Sequence, residues 1–186
     1  CGSGIIEVVA EMFLAGIITV DGVIDGALAA RSKRVVADGR TFSYVLYQPD
    51  VTDILGAERK APITVTQNDV RQIQLAKAAL YAGVKLLMDK IGIERIDRIR
   101  LAGAFGSHIN VKHAMVLGLI PDCALDQVSS AGNAAGTGAR IALLNTKSRN
   151  TIESLVTNIE KIETAMEPKF QQYFVDAMAF PNKTDP

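Results

Sequence analysis

The sequence predicts an α/β fold, a mixed sheet with flanking helices and extra helices toward its C-terminal end. Two stretches carry most of that expectation. Ile96, Ile99 and Leu101 form a short strand with Asp97, Arg98 and Arg100 interleaved, running without a polar turn into Ala102-Gly103-Ala104-Phe105-Gly106-Ser107. A second strand, read around Gln127 to Ala131, runs into Gly132-Asn133-Ala134-Ala135-Gly136-Thr137-Gly138 and a helix through Ile141, Ala142 and Leu144. Small residues at a strand's carboxyl end leave no Cβ between a ligand and the backbone. In open α/β sheets that end is also where ligands bind. The competing reading is a tight strand-to-helix turn with no ligand.

The remaining elements follow in order. Ile5, Val8, Val9, Met12 and Phe13 recur at helical spacing, with Glu7 and Glu11 on the other side and Gly16 as the stop. Ser3 is read as the N-cap, which places Gly2-Ser3-Gly4 at a helix N-terminus, where backbone N–H groups suit phosphate or ribose oxygens. Residues 17 to 40 read as a connection with Asp21-Gly22, Asp25-Gly26 and Asp38-Gly39 turns and a short helix from Ala27 to Arg31. Phe42 to Tyr47 and Ile63 to Val65 read as strands, and Pro49 to Pro62 as a polar loop.

Thr66-Gln67-Asn68-Asp69 has capping-box form and opens the longest helix, to about Ile91, closed by Gly92. Its apolar stripe is read as Val70, Ile73, Ala76, Leu80, Val84, Leu87 and Ile91, with Ala78, Ala79, Ala82 and Gly83 as a second, narrow face for intramolecular packing. Asn110 caps a short helix ended by Gly118. In the tail, Ile152, Leu155, Val156, Ile159 and Ile162 form one amphipathic stripe, Pro168 opens a helix carrying Phe170, Phe174 and Met178, and Pro181 to Pro186 read as a frayed end.

Composition narrows the function classes. The chain has 186 residues, enough for one domain that buries about 70% of its unfolded surface. Twenty basic and twenty acidic side chains cancel and form no long basic stripe, which argues against nucleic acid as a partner. No run approaches the ~20 apolar residues of a membrane span. Cys1 and Cys123 fit neither a disulfide framework nor metal spacing, and suit the cytoplasm. His108 and His113, five apart, read as surface or loop residues, so no metal ligands are assigned. Asp21 and Asp25 read as turn formers. The glycine-rich opening, without a leading methionine, reads as the middle of a site and the chain as a C-terminal piece of a longer protein.

From Thr66 to Leu144 the order is long helix, strand, small-residue turn, short helix, strand, glycine-rich helix start. This order resembles the C-terminal half of the actin-like ATPase superfamily (ribonuclease H-like fold), which includes sugar and acetate kinases. In that superfamily a strand ends in a glycine-glycine turn that holds adenosine; here the second glycine is Ala104. A narrower resemblance rests on CGSGII, ITVTQNDV, LAGAFG, GNAAGTGA and the pattern Pro168, Phe170, Phe174, Val175, Ala177, Met178, Phe180 and Pro181. Together these resemble the ATPase region of the reductive activators of corrinoid proteins. The resemblance implies that residues 1–150 are the second lobe of an actin-like ATPase and 151–186 a helical extension packed on it. It implies ATP with Mg as ligand and a corrinoid methyl-transfer protein, returned from Co(II) to Co(I), as partner. It also implies a homodimer, and an iron–sulfur cluster only in an upstream domain. Gly2, Ser3 and Gly4 would then meet phosphate or ribose, Gly103, Ala104, Phe105, Gly106 and Ser107 the adenosine, and Gly132 with Asn133 would border the same crevice. The catalytic acid and first phosphate loop would lie upstream, so no catalytic residue is named. A small-molecule kinase lobe and a non-catalytic dimerisation domain remain open as alternatives.

Overall fold

Helix α1 (Gly2–Leu14) turns one apolar face inward, burying Ile6, Val9, Ala10 and Met12. It ends as its spacing predicts: Gly16 takes a left-handed φ of 69°, and Ile17 N–H closes the turn on the Met12 carbonyl at 2.8 Å. The start differs from expectation. A computed structural model describes residues 2–49 and 61–182, and in it α1 already includes Gly2, so Ser3 lies inside the first turn rather than capping it. Most of the 49–62 loop, Cys1 and residues 183–186 lie outside the described residues.

The connection after α1 contains a 3₁₀ turn, Gly26–Ala30, capped by Asp25 through Ala27 N–H at 2.9 Å. It also contains a strand that the sequence reading missed, β1 (Val35–Asp38). The strand has four residues and three of them are exposed, so it offers no alternation to detect. With β2 (Thr41–Tyr47) and β3 (Ile63–Thr66) it forms an antiparallel sheet in the order β1-β2-β3. Asp38-Gly39 makes the hairpin turn, Gly39 at φ 60°.

Thr66 then caps α2 (Gln67–Ile91), and the capping box with Asp69 is complete. Gly92 stops it at φ 75°. The buried face of α2 is not the one the apolar stripe predicts. Val70, Gln74, Lys77, Ala78, Tyr81, Ala82, Leu86 and Met88 are buried, whereas Leu80, Leu87 and Ile91 are 48, 50 and 69% exposed. The narrow alanine face is the packed one: Ala78 and Tyr81 meet Ala177, Phe174 and Met178 of the tail.

A parallel pair follows. β4 (Ile99–Ala102) leads into α3 (Gly103–His108) and α4 (Val111–Val116), the latter capped by Asn110; β5 (Val128–Gly132) leads into α5 (Ala134–Leu144). The two strands pair in parallel, with Ile99 opposite Val128 and Ala102 opposite Gly132. The core lies between α1, the antiparallel sheet, the start of α2 and the segment 114–120, and Ile99, Leu101 and Val128 pack against it.

The tail departs further from expectation. Helix α6 (Thr146–Val156) ends before Ile159, which is 72% exposed, so the stripe from Ile152 to Ile162 is not one buried face. Helix α7 (Phe170–Asp176) packs on α2. Of the end expected to fray from Pro181, Asn182 is almost completely buried, as Phe180 before it is completely, and residues 183–186 lie outside the described residues. Phe180 N–H donates to the Val20 carbonyl at 2.8 Å, and its ring meets Phe13 at 5.9 Å between centroids.

Candidate functional site

The two strand-end glycine bends are adjacent, whereas the third glycine-bearing stretch, Gly2-Ser3-Gly4, is the first turn of α1 and not a bend. β4 and β5 run side by side and stop together, because Ala102 pairs with Gly132. Each carboxyl end then turns through a left-handed glycine, Gly103 at φ 94° and Gly132 at φ 60°. A side chain at either position would be strained by the backbone, since only glycine visits this region freely. A Cβ built at either meets no atom within 4 Å, so both bends border open space. The helical start of α1 lies beside the first of them. A Cβ on Gly2 would stand 3.1 Å from Cε2 of Phe105, which places the start of α1 against α3.

Between Leu101 and Ala102 the register slips. Leu101 pairs with Ser130 and Ala102 with Gly132, which leaves Ala131 bulged. Bulges of this kind re-aim the chain at the end of a strand. Here the bulge carries hydroxyl bonds: Gly132 N–H donates to Ser130 Oγ at 3.1 Å and Ser130 Oγ to Ser107 Oγ at 3.2 Å. Ser107 Oγ in turn donates to the Gly103 carbonyl at 3.0 Å. Ser130 was not among the residues singled out by sequence. Its only signal is a serine pair in a strand that opens on a glycine turn.

The other predicted residues divide by role. Gly106 is a packing glycine: a Cβ there would come within 3.1 Å of Leu101, so α3 lies directly on β4. Asn133 caps α5 through Gly136 N–H at 2.9 Å, and its side chain is thereby engaged. Ala102, at the N-cap of α3, makes no side-chain cap. Ala104 and Phe105 are exposed, Phe105 by 51%. Ser3 and Gly4 are half-buried in the first turn of α1.

None of these ten residues ionises near neutral pH, so the site offers backbone N–H groups, hydroxyls and one aromatic face. Such a set binds and orients a ligand; it holds no group to move a proton. The set presents open backbone at two glycines and the exposed ring of Phe105. Magnesium does not find its ligands here, because no carboxylate belongs to the set. Among the described residues no group of three or more His, Cys, Asp or Glu is placed to hold a metal. Cys123 bonds the Asp97 carbonyl at 3.4 Å, and an iron–sulfur cluster does not fit it. His113 lies elsewhere, its Nε2 2.7 Å from Glu11 Oε1.

A family model for the C-terminal domain of RACo, the ASKHA domain, matches residues 1–186. The chain belongs to this family. Corrinoid activation enzyme RamQ of Eubacterium limosum is 38% identical over 185 residues, which is 96% of this chain and 30% of that protein. A solved structure of a reductive activator for corrinoid, iron-sulfur protein superposes with a TM-score of 0.83 at 30% identity, covering 98% of this chain and 28% of that one. The chain thus spans less than a third of the relatives it matches. The likeness fixes the actin-like α/β fold, and it makes the bends at Gly103 and Gly132 part of an ASKHA domain rather than of an unrelated strand-turn-helix protein.

Proposed function

We propose that this domain holds ATP at the Gly103 and Gly132 bends and the Gly2 start of α1, and serves a protein that reductively activates a corrinoid methyl-transfer protein, Co(II) to Co(I). The observation that carries the reading is the pairing of Ala102 with Gly132, which puts two left-handed glycines side by side before open space. The relatives' names supply the corrinoid partner. Gly2, Ser3 and Gly4 meet phosphate or ribose, Gly103 to Ser107 the adenosine, and Gly132 with Asn133 the rim. Mg accompanies the nucleotide and is held by groups outside this chain, as are the iron–sulfur cluster, the first phosphate loop and the catalytic acid. The protein works in the cytoplasm as a homodimer. Residues 1–150 act as the second lobe and 151–186 as its extension.

Returning cobalt to Co(I) is uphill, and ATP contributes by changing which conformation is populated. Inverting a 1:99 equilibrium takes about 5.5 kcal/mol of differential affinity between the two states. The test is an ATP titration of the full-length protein that carries this domain, with Gly103→Leu and Gly39→Leu compared. Both positions have left-handed φ and open space, but Gly39 sits in the β1–β2 hairpin. Gly103→Leu is expected to weaken ATP by tenfold or more, about 1.4 kcal/mol, with Gly39→Leu near wild type. Equal affinity in all three proteins would sink the assignment.

A further inference from the structure

We infer that Ser130, through Ser107, is a positioning residue that fixes the separation of the two strand-end bends around the nucleotide. The inference rests on the nucleotide reading above and adds a residue to it. Three bonds join the bends in one direction: Gly132 N–H to Ser130 Oγ, Ser130 Oγ–H to Ser107 Oγ, and Ser107 Oγ–H to the Gly103 carbonyl, at 3.1, 3.2 and 3.0 Å. Each hydroxyl therefore uses its single proton and accepts one bond, so the orientation of the chain is determined. It starts at one left-handed glycine and ends at the other.

Two of the three bonds are local. Serine back-bonding to the carbonyl four residues earlier is ordinary in helices, and it accounts for Ser107 to Gly103. A serine hydroxyl taking an N–H two residues on is an ordinary turn bond. The link from Ser130 to Ser107 is different, because it joins residues 23 apart across two elements. Ladder bonding cannot do the same job at this point, since the bulge at Ala131 interrupts the register where the bends begin. Both serines are exposed, so the link adds little to folding stability. Its consequence is geometric. It holds the Gly132 bend at a set distance from the Gly103 bend, and a ligand touching both meets a preformed frame rather than two loops to be ordered on binding.

The experiment measures ATP affinity of the full-length protein by calorimetry for wild type, Ser130→Ala, Ser107→Ala, the double variant and Ser130→Thr. Thermal midpoints of the same proteins show whether the fold is kept. Ser130→Ala is expected to weaken ATP about fivefold, the scale of one hydrogen bond. Ser107→Ala is expected to weaken it at least as much, since Ser107 also meets the adenosine, and the double variant no more than Ser107→Ala, because both changes break one chain. Ser130→Thr retains the hydroxyl and is expected to stay within about twofold of wild type. Thermal midpoints are expected to be alike across the set. Losses that add in the double variant would mean that each hydroxyl acts alone, and overturn the inference. So would wild-type affinity in Ser130→Ala, or a loss in Ser130→Thr equal to that in Ser130→Ala. Absence of ATP binding by the wild type would overturn the nucleotide reading and this inference with it, whereas tight wild-type binding unmoved by Ser130→Ala would overturn the inference alone.

Discussion

Lys77 Nζ, fully buried in the middle of α2, donates to Asn182 Oδ1 at 2.6 Å, joining residues 105 apart in sequence. The same ammonium donates to the Ala179 carbonyl and lies 5.2 Å from the centre of the Phe180 ring. Asn182 Nδ2 continues the connection to the Gly118 carbonyl at 3.2 Å. The segment 179–182 thus ties α2 to the turn after α4. Lys77→Met fills the same space but leaves two buried acceptors without this donor, and is expected to cost about 2–4 kcal/mol. Asn182→Ala is expected to cost about 1–3 kcal/mol. Urea unfolding with unchanged m-values measures both; losses under 0.5 kcal/mol would show that the strap is incidental.

A second fastening gives a dependence on pH. Tyr173 Oη and Lys169 Nζ both donate to Asp89 Oδ2, the lysine at 3.1 Å, and hold α7 to the C-terminal part of α2. The bond from Tyr173, and then that from Lys169, lowers the Asp89 pKa below its ordinary 3.8. The Asp89 bond raises Tyr173 above 10.0 and Lys169 above 10.5. Because the carboxylate is favoured when folded, its contribution is complete above 3.8 and is lost as pH falls through the lowered value. The Tyr173 and Lys169 contributions are complete below about 10 and are lost as pH rises through the raised values. Asp89→Asn is expected to flatten both limbs. The measurement is protection of α7 from proteolysis across pH; identical profiles for the variant and wild type would contradict it.

The start of α2 carries a local prediction. Thr66 N–H donates to Asp69 Oδ2 at 2.8 Å, and Asp69 N–H returns to Thr66 Oγ1 at 3.1 Å. Thr66→Ala is expected to cost about 1 kcal/mol. In a double-mutant cycle with Asp69→Ala the losses are expected to be less than additive, because Thr66 Oγ1 also donates to Asp69 Oδ2 at 2.7 Å and either substitution removes that bond. Strict additivity in denaturant melts would mean that the two caps act separately.

How much of this was legible depended on how far each cause lies along the chain. The α2 cap, the glycine stops at Gly16, Gly92 and Gly118, and the two strand-to-helix bends are set by neighbours within a few residues, and all were read correctly. The buried face of α2 was not. Gln74 and Lys77 look like surface residues until their partners appear, and those partners are the Asp21 and Met178 carbonyls for one and the Ala179 carbonyl with Asn182 for the other. Periodicity therefore chose Leu80, Leu87 and Ile91, which are the more apolar side chains. The site was half legible: the glycines announced the bends, but that Ser130 links them follows only from a register slip at Ala131 that spacing does not encode.

Two glycines of nearly equal conformation separate backbone strain from collision. Gly22 and Gly92 have φ of 77° and 75°, so alanine at either pays the same left-handed penalty, about 1 kcal/mol. Around Gly92 a Cβ meets nothing within 4 Å. At Gly22 it would stand 2.2 Å from Gln74 Nε2, the buried amide that bonds the Asp21 and Met178 carbonyls at 3.0 and 2.9 Å. Gly22→Ala must therefore displace Gln74 and release two carbonyls at once. Its expected loss exceeds that of Gly92→Ala by about 1 kcal/mol, the scale of the part-buried hydrogen bonds that Gln74 would give up. In Gln74→Ala the collision is relieved, so adding Gly22→Ala to that background is expected to cost only the strain term. Urea midpoints for the four proteins decide it, and a Gly22→Ala loss unaffected by the Gln74 background would show that backbone strain alone is responsible.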